Sequence, residues 1–130
     1  LMQQAEIDSF WVLPGGRVEM PESAEDALKR EMREELHLEV EIDRLIWTLE
    51  NFFVYRGEPH REIGLYFLMN RPQDSELYNA DSVVQTEDEL GTKLRHIWQP
   101  LDSLKKLDIK PTFLYDVLPA IPDVPNYIVH

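Results

Sequence analysis

Cysteine is absent from this chain of 130 residues, which excludes disulfide bonds, a thiolate nucleophile and cysteine-held zinc. That absence does not by itself identify a compartment. Positive charge is scarce: 13 Lys and Arg stand against 25 Asp and Glu, a formal net charge of −12. Nonspecific nucleic-acid binding and docking on anionic membranes both need clustered cations, so neither a nucleic-acid polymer nor a membrane is an expected partner. Long apolar runs are missing too, and none approaches the length of a membrane span. No basic-plus-apolar leader is visible in the first ten residues, and a soluble cytoplasmic protein is the default expectation. Without a repeat, a low-complexity tract or a break in composition, residues 1–130 are expected to form a single domain with enough apolar content for a core.

The chemistry is concentrated between Gly16 and Leu38. A helix from about Ser23 to Leu36 would set Glu31, Glu34 and Glu35 at i, i+3 and i+4, on one side of about a single turn. Three like charges so placed destabilise an isolated helix, and hard divalent cations with oxygen ligands are their natural partners: Mg²⁺, with Mn²⁺ as the variant. A zinc site fits worse, because His37, His60, His96 and His130 are scattered. With metal ions between them, such an acidic site is compatible with an anionic substrate. The opposite helix face carries Ala24, Ala27, Leu28, Met32 and Leu36, an apolar stripe suited to packing on a sheet. Ser23 can cap the helix, with Asp26 three residues on and Pro21 just ahead. Arg30 stands four residues before Glu34 and near Glu31 and Asp26, so it can hold a carboxylate in a fixed rotamer.

Gly16 and Glu22, separated by five residues, are followed after seven more by Arg30-Glu31-Met32-x-Glu34-Glu35-x-x-Leu38, with Trp11-Val12-Leu13-Pro14-Gly15-Gly16 leading in. The pattern resembles the Nudix box, the signature of hydrolases that cut diphosphate linkages in nucleoside-diphosphate derivatives. The resemblance implies an α/β fold, the Nudix-type α/β/α sandwich with a mixed central sheet. It implies that Glu31, Glu34 and Glu35 hold metal, that the Gly15 carbonyl contacts a metal, that Arg30 orients the carboxylates, and that Glu22 is an auxiliary acid near the metals and substrate. His37 departs from the pattern, since similar proteins have glycine there. A left-handed cap costs a residue with a Cβ about 1 kcal/mol, and a slightly costly cap is preferred to a catalytic histidine. Similar proteins also place a strand or two before the glycine loop; Leu1 to Gln4 looks like the end of one, so either the start is truncated or the sheet lacks its usual N-terminal strands.

Past the box, a short strand over Glu39 to Asp43 and a longer one over Leu45 to Tyr55 are expected. A turn at Arg56 to His60 then leads to a returning strand from Arg61 to Asn70. Thr92 to Gln99 is a further strand, and Pro100 and Pro111 open short helices through Leu107 and about Leu118. The proline-rich end from Pro119 is expected to be an extended tail. Arg71 to Gly91 is a polar stretch without periodicity, a suspected functional loop. By resemblance such a loop supplies a further acid as metal ligand or general base; Glu87, Asp88 and Glu89 are the candidates, with Glu89 first because it adjoins the strand.

Tyr55, sixteen residues past the box, resembles a base-stacking tyrosine of dinucleoside polyphosphate hydrolases, although sheet packing accounts for it as well. Trp11, Phe53, Tyr66 and Trp98 are further stacking candidates, most of them core, and His60 with Arg61 could reach phosphate from a turn. The function implied is metal-dependent hydrolysis of a phosphoanhydride in a small nucleotide, whether a dinucleoside polyphosphate, a nucleoside triphosphate or a nucleotide sugar. The alternative is a catalytically silent, metabolite-binding regulatory module. The isomerase branch of the superfamily uses a cysteine this chain lacks. Association into a homodimer is left open.

Overall fold

The computed structural model describes residues 1–70 and 83–130. The elements run β1 (Met2–Ala5), α1 (Ala24–Leu36), β2 (Glu41–Tyr55), β3 (Glu58–Asn70), β4 (Val84–Glu87), β5 (Lys93–Ile97), a 3₁₀ segment (Leu101–Lys106), α2 (Leu114–Val117) and β6 (Asn126–Val129). The strands form two three-stranded sheets, ordered β1-β5-β4 and β3-β2-β6. The first is antiparallel throughout, whereas β2 pairs antiparallel with β3 and parallel with β6, so the second sheet is mixed. This α/β arrangement is consistent with the expected sandwich.

Helix α1 begins and ends where its sequence signals stand. Ser23 is extended, and its hydroxyl accepts from the Asp26 N–H at 3.1 Å and donates to the Asp26 carboxylate at 2.8 Å. At the other end His37 adopts φ 54°, ψ 33° and donates its N–H to the Arg33 carbonyl at 3.0 Å, while the Leu38 N–H reaches Met32 O at 3.2 Å. The first of these is the 5→1 bond of a left-handed αL cap, and the apolar contact that accompanies such caps is present too, because Leu38 packs with Met32, Leu36 and Val40. His37 is therefore a cap, exposed and outside the chemistry.

The two strands expected over 39–55 are one continuous strand, β2. Register shifts between Ile42 and Arg44 and between Leu45 and Trp47 absorb the extra residues that made the pattern look broken. The hairpin turn is tighter than expected: Arg56 (φ 52°) and Gly57 (φ 84°) both take positive φ, the two-residue turn whose twist matches the flanking strands. Part of the expected loop over 71–91 is strand β4, which is too short to show periodicity and is held by pairing with β5. Residues 71–82 of that loop lie outside the described residues. The helix after Pro100 is a 3₁₀ segment with non-helical dihedrals at Ser103, and α2 is a single turn. The tail is not wholly extended coil, since β6 adds to β2 from Trp47 to Glu50.

The main core joins Met2, Ile46, Trp47, Leu49, Leu104, Ile109, Phe113 and Leu114. Trp47 sits edge-on to Tyr66 and Phe113 at 6.1 and 6.2 Å, so the stacking candidate Tyr66 is committed to the interior, and burial pushes its hydroxyl up to about 12. A second core holds Met32 and Leu36 of α1 against Leu38 and Val40, with Leu1, Leu28, Met69 and Val84 at its margin. No helix among the described residues is long and apolar enough to cross a membrane.

His96 is 1% exposed on β5, its Nε2 lies 2.9 Å from the Thr86 hydroxyl, and burial lowers its pKa to about 4. An unfolded histidine titrates near 6.5, so its contribution is complete above that pH. As pH falls toward 4 the unfolded chain takes up a proton that the folded chain refuses, and stability drops. Between pH 7 and pH 4 the native protein should lose about 2 kcal/mol more than His96→Gln, measured by urea denaturation at each pH.

Candidate active site

The box folds as a glycine loop laid against the first turns of α1. Gly15 has φ 154°, which favours glycine, and a side chain at Gly16 would collide with the Glu31 carboxyl group. The loop backbone is thus pressed directly onto the helix carboxylate, a contact only glycine permits.

Arg30 organises the acids. Its Nε and one terminal nitrogen donate to the two oxygens of Glu22 at 3.1 and 2.7 Å; the other terminal nitrogen donates to Glu31 at 2.9 Å and Glu34 at 3.1 Å. The Arg17 carbonyl takes a further bond at 3.0 Å. The paired charges act in both directions: Glu22 above all, then Glu31 and Glu34, raise the Arg30 pKa, and Arg30 holds the Glu22 carboxyl below its usual range. Glu22 itself accepts from the Glu19 N–H at 2.9 Å, closing the loop that precedes the helix.

Glu35 has no place on that guanidinium. Half-buried, it has its pKa raised to about 7, first by desolvation, then by the charge of Glu31, with Asp88 and Glu34 adding smaller contributions. A hydrogen bond from the buried Gln3 side chain pulls the other way without overcoming them. Gln3 lies on β1, so the first strand touches the acid that the box places on the helix. This partner has no signal in the motif.

The loop acids separate. Glu89 is exposed in the turn after β4, whereas Asp88, half-buried at the end of that strand, is the one whose charge reaches Glu35. The Asp88 carboxylate accepts from the Leu90 and Thr92 N–H groups at 2.9 and 2.8 Å, and these bonds hold its pKa down. Tyr55 stands at the far end of β2, where its hydroxyl donates to Asp8 at 3.0 Å and its ring meets Phe10 and His60 edge-on. Trp11 lies half-buried beneath the Arg95 guanidinium, and Trp98 is half-buried as well. Arg61 pairs with Glu50 at 2.7 Å on the opposite face of the hairpin from His60. Gly15, Gly16, Tyr55 and His60 line one cleft of about 1050 Å³.

A family model described as the NUDIX domain matches residues 1–121. The chain belongs to the Nudix family. It is also similar to an 8-oxo-dGTP diphosphatase of Proteus vulgaris, with 34% identity over 74 residues that make up 57% of this chain. The match covers 62% of that protein's length. Nudix hydrolases generally use divalent metal ions, and the donor chemistry here suits a hard cation. The acids offer only oxygen, and three carboxylates (Glu22, Glu31, Glu34) share a single guanidinium with Glu35 beside Glu31, leaving negative charge in excess. Among the described residues no three acidic or histidine side chains converge on a single point, because Glu31 and Glu34 are turned to Arg30.

Gly16→Ala would push the Glu31 carboxyl group off the loop while leaving every core contact in place. The substitution should weaken Mn²⁺ binding, followed by electron paramagnetic resonance, about tenfold, in the range found for residues that orient a metal ligand. The melting temperature should move by no more than about 4 °C.

Proposed function

We infer that this chain is a Mg²⁺-dependent hydrolase that cleaves a phosphoanhydride bond in a nucleoside-diphosphate-linked substrate. The observation that carries the reading is the fastening of Glu22, Glu31 and Glu34 to Arg30 beside an unpaired Glu35 with raised proton affinity, in a chain of the Nudix family. Glu31, Glu34, Glu35 and the Gly15 carbonyl would hold the metal, which when bound polarises the phosphoryl group and activates a water. Arg30 gathers Glu31 and Glu34 beside one another, so the two acids stand together on the helix before the metal arrives. Glu35, half-buried beside Glu31 and outside the Arg30 pairing, is suited to take the proton of the attacking water at a carboxylate oxygen. Glu89, and Asp88 whose charge reaches Glu35, are the further acids proposed from outside the helix. An oxidised purine nucleoside triphosphate is the first substrate to test, because the relative from Proteus vulgaris is named for one.

The chain also has a surface for a second copy. Phe52, Val54, Ile63, Leu65, Tyr127 and Val129 are exposed and share the outer face of the second sheet by register. Together they offer roughly 700 Å² of accessible area, close to the contribution of one partner in a stable interface. Sedimentation equilibrium should find a homodimer, and Ile63→Glu should return it to monomer.

The decisive assay is product analysis by mass spectrometry with Mg²⁺ and a panel of dinucleoside polyphosphates, ADP-ribose, nucleotide sugars, and normal and oxidised nucleoside triphosphates. One class should be cleaved, and Glu35→Gln should slow that turnover by about 10²- to 10⁴-fold with an unchanged circular dichroism spectrum. An active Glu35→Gln variant, or binding without product across the panel, refutes the reading; the latter outcome favours a silent regulatory module.

A further inference from the structure

The inner face of the β2–β3 hairpin, beyond the core, carries polar and aromatic groups that hydrolysis leaves unused. Register pairs Asn51 with Glu62 and Phe53 with His60, so these four side chains share one face with Tyr55. Asn51 is 5% exposed, and its Nδ2 donates to Glu62 Oε1 at 3.1 Å. A carboxylate only accepts, so this bond fixes the orientation of the amide. The Asn51 Oδ1 is then buried with no protein partner among the described residues. Beside it the rings of Phe53 and His60 lie nearly parallel, 16° apart with centroids at 5.3 Å. Phe53 is partly exposed, and Phe53, His60 and Glu62 line the same cleft as Gly15 and Gly16.

We propose that Asn51, Glu62, Phe53 and His60 form a nucleobase subsite selective for a guanine-type base. It rests on the nucleotide reading above and names the class of base. Guanine presents adjacent N1–H and N2–H donors, which the two oxygens of Glu62 accept together, while the buried Asn51 amide holds that carboxylate in place. Adenine turns its N1 lone pair toward the same carboxylate, and thymine offers one N–H between two carbonyls; both leave Glu62 facing an acceptor. The aromatic pair supplies a stacking surface that serves any base, so it contributes affinity while Glu62 and Asn51 contribute choice. A base that sets an acceptor against Glu62 displaces the water that solvates this exposed carboxylate and returns no hydrogen bond for it.

The test is calorimetric titration of the whole chain with guanosine 5′-monophosphate and adenosine 5′-monophosphate, which contain no anhydride. It is therefore independent of whether the chain hydrolyses anything. The native protein should bind the guanosine nucleotide at least about tenfold more tightly. Glu62→Gln should bring the two within about twofold, while Phe53→Ala should weaken both about tenfold. Both side chains are exposed enough for the variants to fold, which their melting curves check. Equal affinities in the native protein, an unchanged preference in Glu62→Gln, or no guanosine nucleotide binding at millimolar concentration would each overturn the proposal.

Discussion

A guanidinium has five N–H donors in a rigid plane, and in Arg30 each of them meets an oxygen: two on Glu22, one each on Glu31 and Glu34, and the Arg17 carbonyl. The glycine loop, the segment leading to the helix and the helix itself are joined through that one group. A lysine could neutralise one carboxylate but could not span three of them in fixed directions. Placement of the loop follows from the same bonds, because Glu31 can lie under Gly16 only while Arg30 holds its carboxyl group there. The apolar side of α1 provides the counterweight: Ala27, Met32 and Leu36 are buried, and the His37 cap turns the chain so that Leu38 and Val40 close over Met32.

The arrangement sorts four similar carboxylates by their surroundings. Glu22 is matched on both oxygens and its proton affinity falls, whereas Glu35 is left in a half-buried position facing Glu31, Glu34 and Asp88 and its proton affinity rises. Identical side chains only a few residues apart thereby acquire different chemistry. The strand β1 takes part through Gln3, whose bond to Glu35 opposes the shift and keeps the value near neutrality rather than above it.

Helix α1 was legible to within a residue because every determinant is local: the apolar stripe, Ser23 and Asp26 at the start, and the cap after Leu36. The hairpin was legible from alternation and from Arg56-Gly57, though its continuity through the bulges of β2 was not. What escaped depends on partners far away in the chain. Strand β4 has four residues and exists through β5; β6 follows a proline-rich run and is recruited by β2. The Glu22–Arg30 pair spans eight residues, outside the helical i,i+4 rule, and the bond from Tyr55 to Asp8 spans 47. Glu89 stood ahead of Asp88 in the sequence for its nearness to a strand; in the fold Asp88, just past β4, is the loop acid whose charge adds to that of Glu31 and Glu34 on Glu35.

The two functional regions rest on different kinds of support, and this sets what can vary. The acids sit on a helix fixed by a cap, a core and a guanidinium, so a change at Glu31 or Arg30 disturbs several elements together. Asn51, Phe53, His60 and Glu62 project from the outer half of a two-stranded hairpin, beyond the Trp47 core, where neighbouring side chains can change without loosening the box. β3 is moreover an edge strand of its sheet, so its outer end is constrained by β2 alone. On the proposed reading, a fold built this way would keep its hydrolytic centre constant and alter the base it accepts by substitutions on the hairpin face.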